Sequence, residues 1–236
     1  MVKLMKLELQ RNRMRSYISA ALIVTIVMVG FLYLFAAIPY LDETQTDIEI
    51  FMTYDSIATL VFMLSMVSFS ILSSVMYARF VVEEYAGKKV ILLFSYPVNR
   101  RRILWAKVAV VFLFTVLSMF LSGLATFTLF YATEAYIPIC KDTLTIFTIF
   151  RTTALLLVYS LMSGTLAIIS LWFGLWKKST PATIVSGTIV VTVVCNFLAA
   201  GISNILPAVL VSIVSMITAL VLIVGISSKV ATMEVE

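Results

Sequence analysis

The stretch from Glu83 to Lys107 reads EEYAGKKVILLFSYPVNRRRILWAK: two acids, paired lysines, a short apolar run, then three arginines and a last lysine. The chain has no histidine, so the commonest general acid–base and the commonest metal ligand are both missing. What such a stretch can do is recognition, through ion pairs and hydrogen bonds to a partner or to a charged surface. Gly87-Lys88 comes nearest to a phosphate-cradling loop, but no GxxxxGK[ST] run surrounds it. Any nucleotide chemistry must therefore belong to another polypeptide. Two cysteines, Cys140 and Cys195, suffice neither for a disulfide framework nor for a four-ligand zinc site, and no metal is expected.

The elements that would carry this stretch follow from its apolar run. Val90–Phe94 is too short to cross a membrane and too apolar for an ordinary solvated loop. It predicts a short amphipathic helix lying at a membrane face or packed on a partner. Pro97 ends that helix, since proline lacks an N–H and disfavours helix for the residue before it. Asn99 then predicts an N-cap for the next helix.

Around this stretch the chain is strongly apolar. Of its 236 residues 62% are hydrophobic and 12% charged, with a mean hydropathy of +1.10. A soluble domain carries about 25% charged residues, so soluble enzymes, nucleic-acid binders and disordered chains are excluded. Six segments are long and apolar enough to span a bilayer, which takes about 20 residues: 17–38, 56–80, 103–131, 144–175, 182–200 and 207–227. The third and fourth approach 30 residues, about 45 Å of helix, and must tilt or extend beyond the hydrocarbon. GISNILP at 201–207 leaves either a tight turn or a dip back into the outer leaflet between the last two spans.

Basic residues orient the spans. With the N-terminus in the cytoplasm, every Lys and Arg except Lys141 and Arg151 falls inside, while Asp42, Glu43, Asp47, Glu49, Asp55, Glu134 and Asp142 fall outside. This positive-inside asymmetry predicts an all-α, six-span protein with both termini cytoplasmic. The chain divides into a basic interfacial helix at 1–16, a membrane domain at 17–227 containing a cytoplasmic segment at 83–100, and a tail at 228–236. In the first of these Lys3, Lys6, Gln10 and Arg13 share one helical stripe beside Val2, Met5 and Leu9. An anchor attracted to anionic lipid reads the same way.

The segment between the second and third spans resembles the first cytoplasmic loop of permease subunits of type-2 ABC exporters. Glu84, the Leu92-Leu93 pair, Pro97, Arg100 and Lys107 fall on that loop's pattern without a gap, and Gly87 lies one position early. Lys89 stands where threonine is usual and Asn99 where serine is. The Glu-Tyr-x-x-Lys start at Glu84 is most similar to permeases that export peptide antibiotics and confer immunity to them. The resemblance implies that Glu84, Gly87, Leu92, Leu93, Pro97, Arg100 and Lys107 belong to a coupling helix seated in a groove of a separate ATPase subunit. It further implies that ATP and Mg are bound by that partner, and that two permeases and two ATPases assemble around one route in a bacterial plasma membrane.

Candidates for a substrate path are weaker. Phe62, Met66, Phe69 and Ser73 share one face of the second span, and such a Met/Phe face serves either as adaptable binding surface or as packing. Arg151, near the start of the fourth span, either snorkels to the headgroups or marks a polar point on a path. Asn196 in the fifth span carries the same ambiguity. Ser65, Ser68, Ser70, Ser73 and Ser74 read foremost as small residues that let helices approach closely.

The expected function is the permease half of an ATP-driven exporter of amphipathic peptides, with lipid or multidrug export as the alternative. A passive pore would need a selectivity ring or filter. A membrane-embedded hydrolase would need a nucleophile with a base, or paired acids, within the spans. Neither is visible, and a non-transporting membrane scaffold is the remaining reading.

Overall fold

The computed structural model describes residues 14–41, 53–86, 100–136, 145–199, 201 and 205–232. Six long helices account for nearly all of these: α1 Met14–Leu41, α2 Tyr54–Tyr77, α3 Arg100–Glu134, α4 Ile146–Lys177, α5 Thr180–Ala199 and α6 Ile205–Thr232. All six are long and apolar enough to cross a membrane. In hydrocarbon the backbone must satisfy its own hydrogen bonds, so uninterrupted apolar runs settle into helix. Many polar side chains within the runs are satisfied by their own helix. Thr25 donates to the Ala21 carbonyl at 2.8 Å, Thr152 to Thr148 at 2.8 Å and Ser163 to Ser160 at 2.8 Å.

The helices run several residues past the predicted spans at most ends. The largest extension is at α2. The chain continues beyond Tyr77 through one π-helical turn, Ala78–Val82, and a further α-helical turn, Glu83–Ala86. The segment expected to leave the membrane domain at Glu83 thus starts as a continuation of α2. Residues 1–13 of the expected interfacial helix at 1–16, Asn99, Cys140 and the coupling residues Gly87, Leu92, Leu93 and Pro97 lie outside the described residues, while Met14–Ser16 form the start of α1. Of Arg100, only the helical backbone is described.

α2 and α4 form the centre of the bundle. In the most apolar stretch of each helix, 67% of residues are buried in α2 and 72% in α4, against 22% in α1, α5 and α6. Small side chains allow the close crossing of α2, α4 and α5. Ser74 and Ser170 meet Oγ to Oγ at 2.9 Å, and Gly187 of α5 lies over them. A Cβ on Gly187 would stand 2.9 Å from the Ser74 Cβ and 3.3 Å from that of Ser170.

The α4–α5 connection needs only two residues. Lys178 adopts the left-handed conformation, with φ 48°. Its N–H bonds the Leu175 carbonyl at 3.4 Å, and that of Ser179 bonds Gly174 at 3.1 Å. This is a Schellman ending with lysine in the glycine position. Between α5 and α6, Gly201 donates to the Leu198 carbonyl at 3.0 Å, and α6 begins four positions later with Pro207 in its first turn.

Two apolar clusters fill the bundle. One joins Tyr54, Phe62, Met66, Phe127, Phe130 and Tyr159. The other joins Tyr77, Phe80, Tyr85, Leu104, Leu171 and Ile226. The described charges divide between the two ends of the bundle. Arg15, Arg79, Glu83, Glu84, Arg101, Arg102, Lys107, Lys177 and Lys178 lie at the end of the second cluster, and Asp55, Glu134 and Arg151 at the opposite end.

Candidate functional site

The most unusual side-chain arrangement sits where α2 runs on past the bundle. Lys107, seven residues into α3, is only 1% exposed. Its ammonium donates to Glu84 Oε2 at 2.6 Å and to the Phe80 carbonyl at 3.0 Å. Phe80 lies within the π-helical turn and Glu84 in the α-helical turn that follows it, so the Lys107 ammonium bonds to both turns at once.

Tyr85, next to Glu84, and Leu104 and Val111, one turn to either side of Lys107, are buried in the second apolar cluster, and Tyr17 of α1 packs edge-on against Phe80 at 5.3 Å. Nearby, the Tyr77 hydroxyl donates to the Val108 carbonyl at 3.2 Å. The root of the 83–100 segment is therefore fastened to α3 by a charged pair and a cap of aromatic packing. Glu84 turns inward; its side chain is 8% exposed. Its carboxylate is paired with the Lys107 ammonium.

At the opposite end, Arg151 of α4 meets Asp55 Oδ2 in the first turn of α2 at 2.6 Å, each side chain 34% exposed. Arg151 thus has an acidic partner on a neighbouring helix. Deeper in, the Tyr54 hydroxyl donates to Glu134 Oε1 at 2.8 Å and the Tyr131 hydroxyl to Thr152 at 3.2 Å. Below them lies a block of rings. Phe62 and Phe127 stand 4.9 Å apart, Phe127 and Tyr131 5.8 Å, and Phe62 and Tyr159 6.2 Å.

The other predicted path residues do not come together around an opening. Phe62, Met66, Phe69 and Ser73 are all buried within the chain, the first three in the first apolar cluster. Ser70 and Ser73 keep hydroxyls for which the described residues supply no hydrogen-bond partner. Asn196 faces outward on α5 and donates to its own helix at Thr192, 2.9 Å away. Ser68 bonds back to Leu64 at 3.0 Å, and Ser74 joins the crossing described above. The serines of α2 are chiefly packing residues.

Residues 4–195 match the family described as ABC-2 family transporter protein. The chain belongs to the ABC-2 family. A relative in Bacillus subtilis (strain 168), the uncharacterized protein YcbO, is 24% identical over 195 residues, covering 83% of this chain and 84% of its own. No solved structure matches. The ABC-2 match takes in α1 to α4 and most of α5, and with them both ion pairs. As an ABC-2 protein the chain is a multi-pass component of a membrane transporter, and the Glu84–Lys107 construction stands at the place where the family resemblance puts the coupling segment.

Proposed function

We propose that this ABC-2 protein is the permease subunit of an ATP-driven exporter, assembled as two copies with two ATPase subunits that bind ATP and Mg. The observation that carries the reading is the fastening of Glu84 to Lys107. A segment that receives a push from a partner ATPase must be joined stiffly to the spans, and here its root is joined to α3 through a buried charge pair. Both termini and the 83–100 segment face the cytoplasm, a reading supported by the gathering of Arg and Lys at one end of the bundle. Closure of the ATPases would move the segment and the end of α2 together as packed units. Such motion would tilt α2 about its fastened end, opening it from α3 and α4 at the Asp55 end and uncovering first Phe62, then Met66, Phe69 and Ser73. Their aromatic, sulfur and hydroxyl groups suit a two-faced cargo better than a sugar or an ion. Arg151 and Asn196 would lie near the outer end of that route.

The cargo in this reading is an amphipathic peptide of the antimicrobial or toxin-like kind, with lipid or drug export as the competing reading. The test is reconstitution of the chain with its ATPase in vesicles, scoring ATP hydrolysis and transport with a cationic amphipathic peptide, a lipophilic drug and a polar sugar. Transport of the peptide is expected. Transport of the drug alone would move the reading to multidrug export, and transport of the sugar alone would overturn it.

A further inference from the structure

A slot of about 260 Å³ opens on the flank of the bundle between α3, α4 and α6, walled by Trp105, Phe112, Met216 and Ile223 and floored by Ala109 and Ala219. Thr165 of α4 also lines it, and its hydroxyl meets that of Ser215 on α6 at 3.0 Å. Those two groups satisfy one another and leave the slot apolar along its length. From Trp105 to Phe112 on α3, and from Met216 to Ile223 on α6, the walls extend about 10 Å at 1.5 Å per residue. That is about two-thirds of the hydrocarbon depth of one leaflet, taking the core as about 30 Å thick.

The mouth of the slot has a different chemistry. Arg101 and Arg102 precede Trp105 by four and three residues, so both lie on its face of α3, one turn further out. Both are exposed. Tryptophan favours the boundary between hydrocarbon and headgroups, and this places the two guanidinium groups at headgroup level directly above the slot. Guanidinium binds phosphate in bidentate fashion. We propose that the slot between α3, α4 and α6 holds one acyl chain of an anionic phospholipid whose phosphate sits on Arg101 and Arg102. The occupant is set by charge and length together. An apolar slot as deep as most of a leaflet takes a chain, and a doubly cationic rim selects an acidic headgroup over a zwitterionic one. The inference does not depend on which cargo the protein exports.

Trp105 reports on its own slot. The chain has three tryptophans, so Trp172→Phe with Trp176→Phe leaves Trp105 as the sole emitter. In bilayers titrated with brominated lipid, brominated-chain phosphatidylglycerol is expected to quench Trp105 at about 30-fold lower mole fraction than brominated phosphatidylcholine. That factor corresponds to ~2 kcal/mol, about 1 kcal/mol for each of two basic residues near an acidic surface. Arg101→Gln with Arg102→Gln should bring the two lipids to nearly equal quenching, and Ala109→Phe should weaken quenching by both. Equal quenching in the parent single-tryptophan chain, or a preference that survives loss of both arginines, would overturn the proposal. If the single-tryptophan chain does not fold, native mass spectrometry of the full chain in mixed-lipid nanodiscs gives the same decision. Retained phosphatidylglycerol that is lost in the double arginine variant supports the site, and no difference between the two lipids sinks it.

Discussion

Replacing Lys107 by methionine keeps most of the side-chain volume and removes the charge, which isolates what the buried pair contributes. Glu84 would then hold a carboxylate with its side chain 8% exposed and the ammonium at 2.6 Å gone. Breaking one side of a buried pair costs about 3–5 kcal/mol, mostly through the stranded charge. For a chain of this size each kcal/mol lowers the melting midpoint by about 2–4 °C, so Lys107→Met should melt about 6–20 °C lower than the parent. Glu84→Gln should cost less, since the ammonium keeps the Phe80 carbonyl at 3.0 Å and an amide oxygen can still accept. Glu84→Gln with Lys107→Met leaves no buried charge and should recover at least half of the Lys107→Met loss. The assay is thermal unfolding of the purified chain in detergent, run as a double-mutant cycle. Effects that add within ~0.5 kcal/mol would mean that the two residues act independently and would refute the pairing argument. With the ATPase present, the recovered double variant should hydrolyse ATP while moving less cargo per ATP, because the joint between the 83–100 segment and α3 has lost its charged link.

The close crossing at Gly187 predicts that Gly187→Val forces α5 off α2 and α4 and costs about 1–3 kcal/mol, read as a lower melting midpoint. Gly225→Ala, where an added Cβ meets nothing within 4 Å, should be neutral or stabilise by about 0.5–1 kcal/mol. The proposed orientation predicts that, in a chain with Cys140 and Cys195 replaced, a membrane-impermeant maleimide applied to intact cells modifies Thr46→Cys and spares Lys177→Cys. Labelling of Lys177→Cys from outside would reverse the topology.

The six helices were legible because hydrocarbon leaves so little choice. About 20 apolar residues in a row must become helix, and the sequence holds six such runs. The end of α2 was harder to read. The apolar run ends at Phe80 and Glu83 and Glu84 follow, yet no helix-breaking residue occurs until Gly87. Without a stop signal the helix runs on to Ala86, and charge alone marks only where it leaves the most apolar zone. The π-helical turn leaves no trace in a periodicity built on 3.6 residues per turn. The buried face of α2 was legible as a face but not as packing. Phe62, Met66, Phe69 and Ser73 have the spacing of a lining, and only the neighbouring rings of Phe127 and Tyr159 show what fills the space beside them.

A signal for the ion pairs was present. Lys107 stands in ILWAKVAVV, with apolar residues on both sides, and Arg151 follows Ile149 and Phe150. A charge flanked in this way within a span requires a partner, and a basic residue on one span calls for an acid at matching depth on a neighbour. Glu84 and Asp55 answer to that description at the two ends of α2. They differ in what they contribute. The Asp55–Arg151 pair, a third exposed, is worth about 0.2–1 kcal/mol where solvent screens it, whereas loss of either member at Glu84–Lys107 leaves a charge in an apolar cap. α2 is thus held firmly to α3 at the end that carries the coupling segment and lightly to α4 at the other. A displacement applied at Ala86 would meet its weakest charged restraint at Asp55. The aromatic block of Phe62, Phe127 and Tyr131 lies next to that restraint, so it is the part of the core that a tilt of α2 would open first.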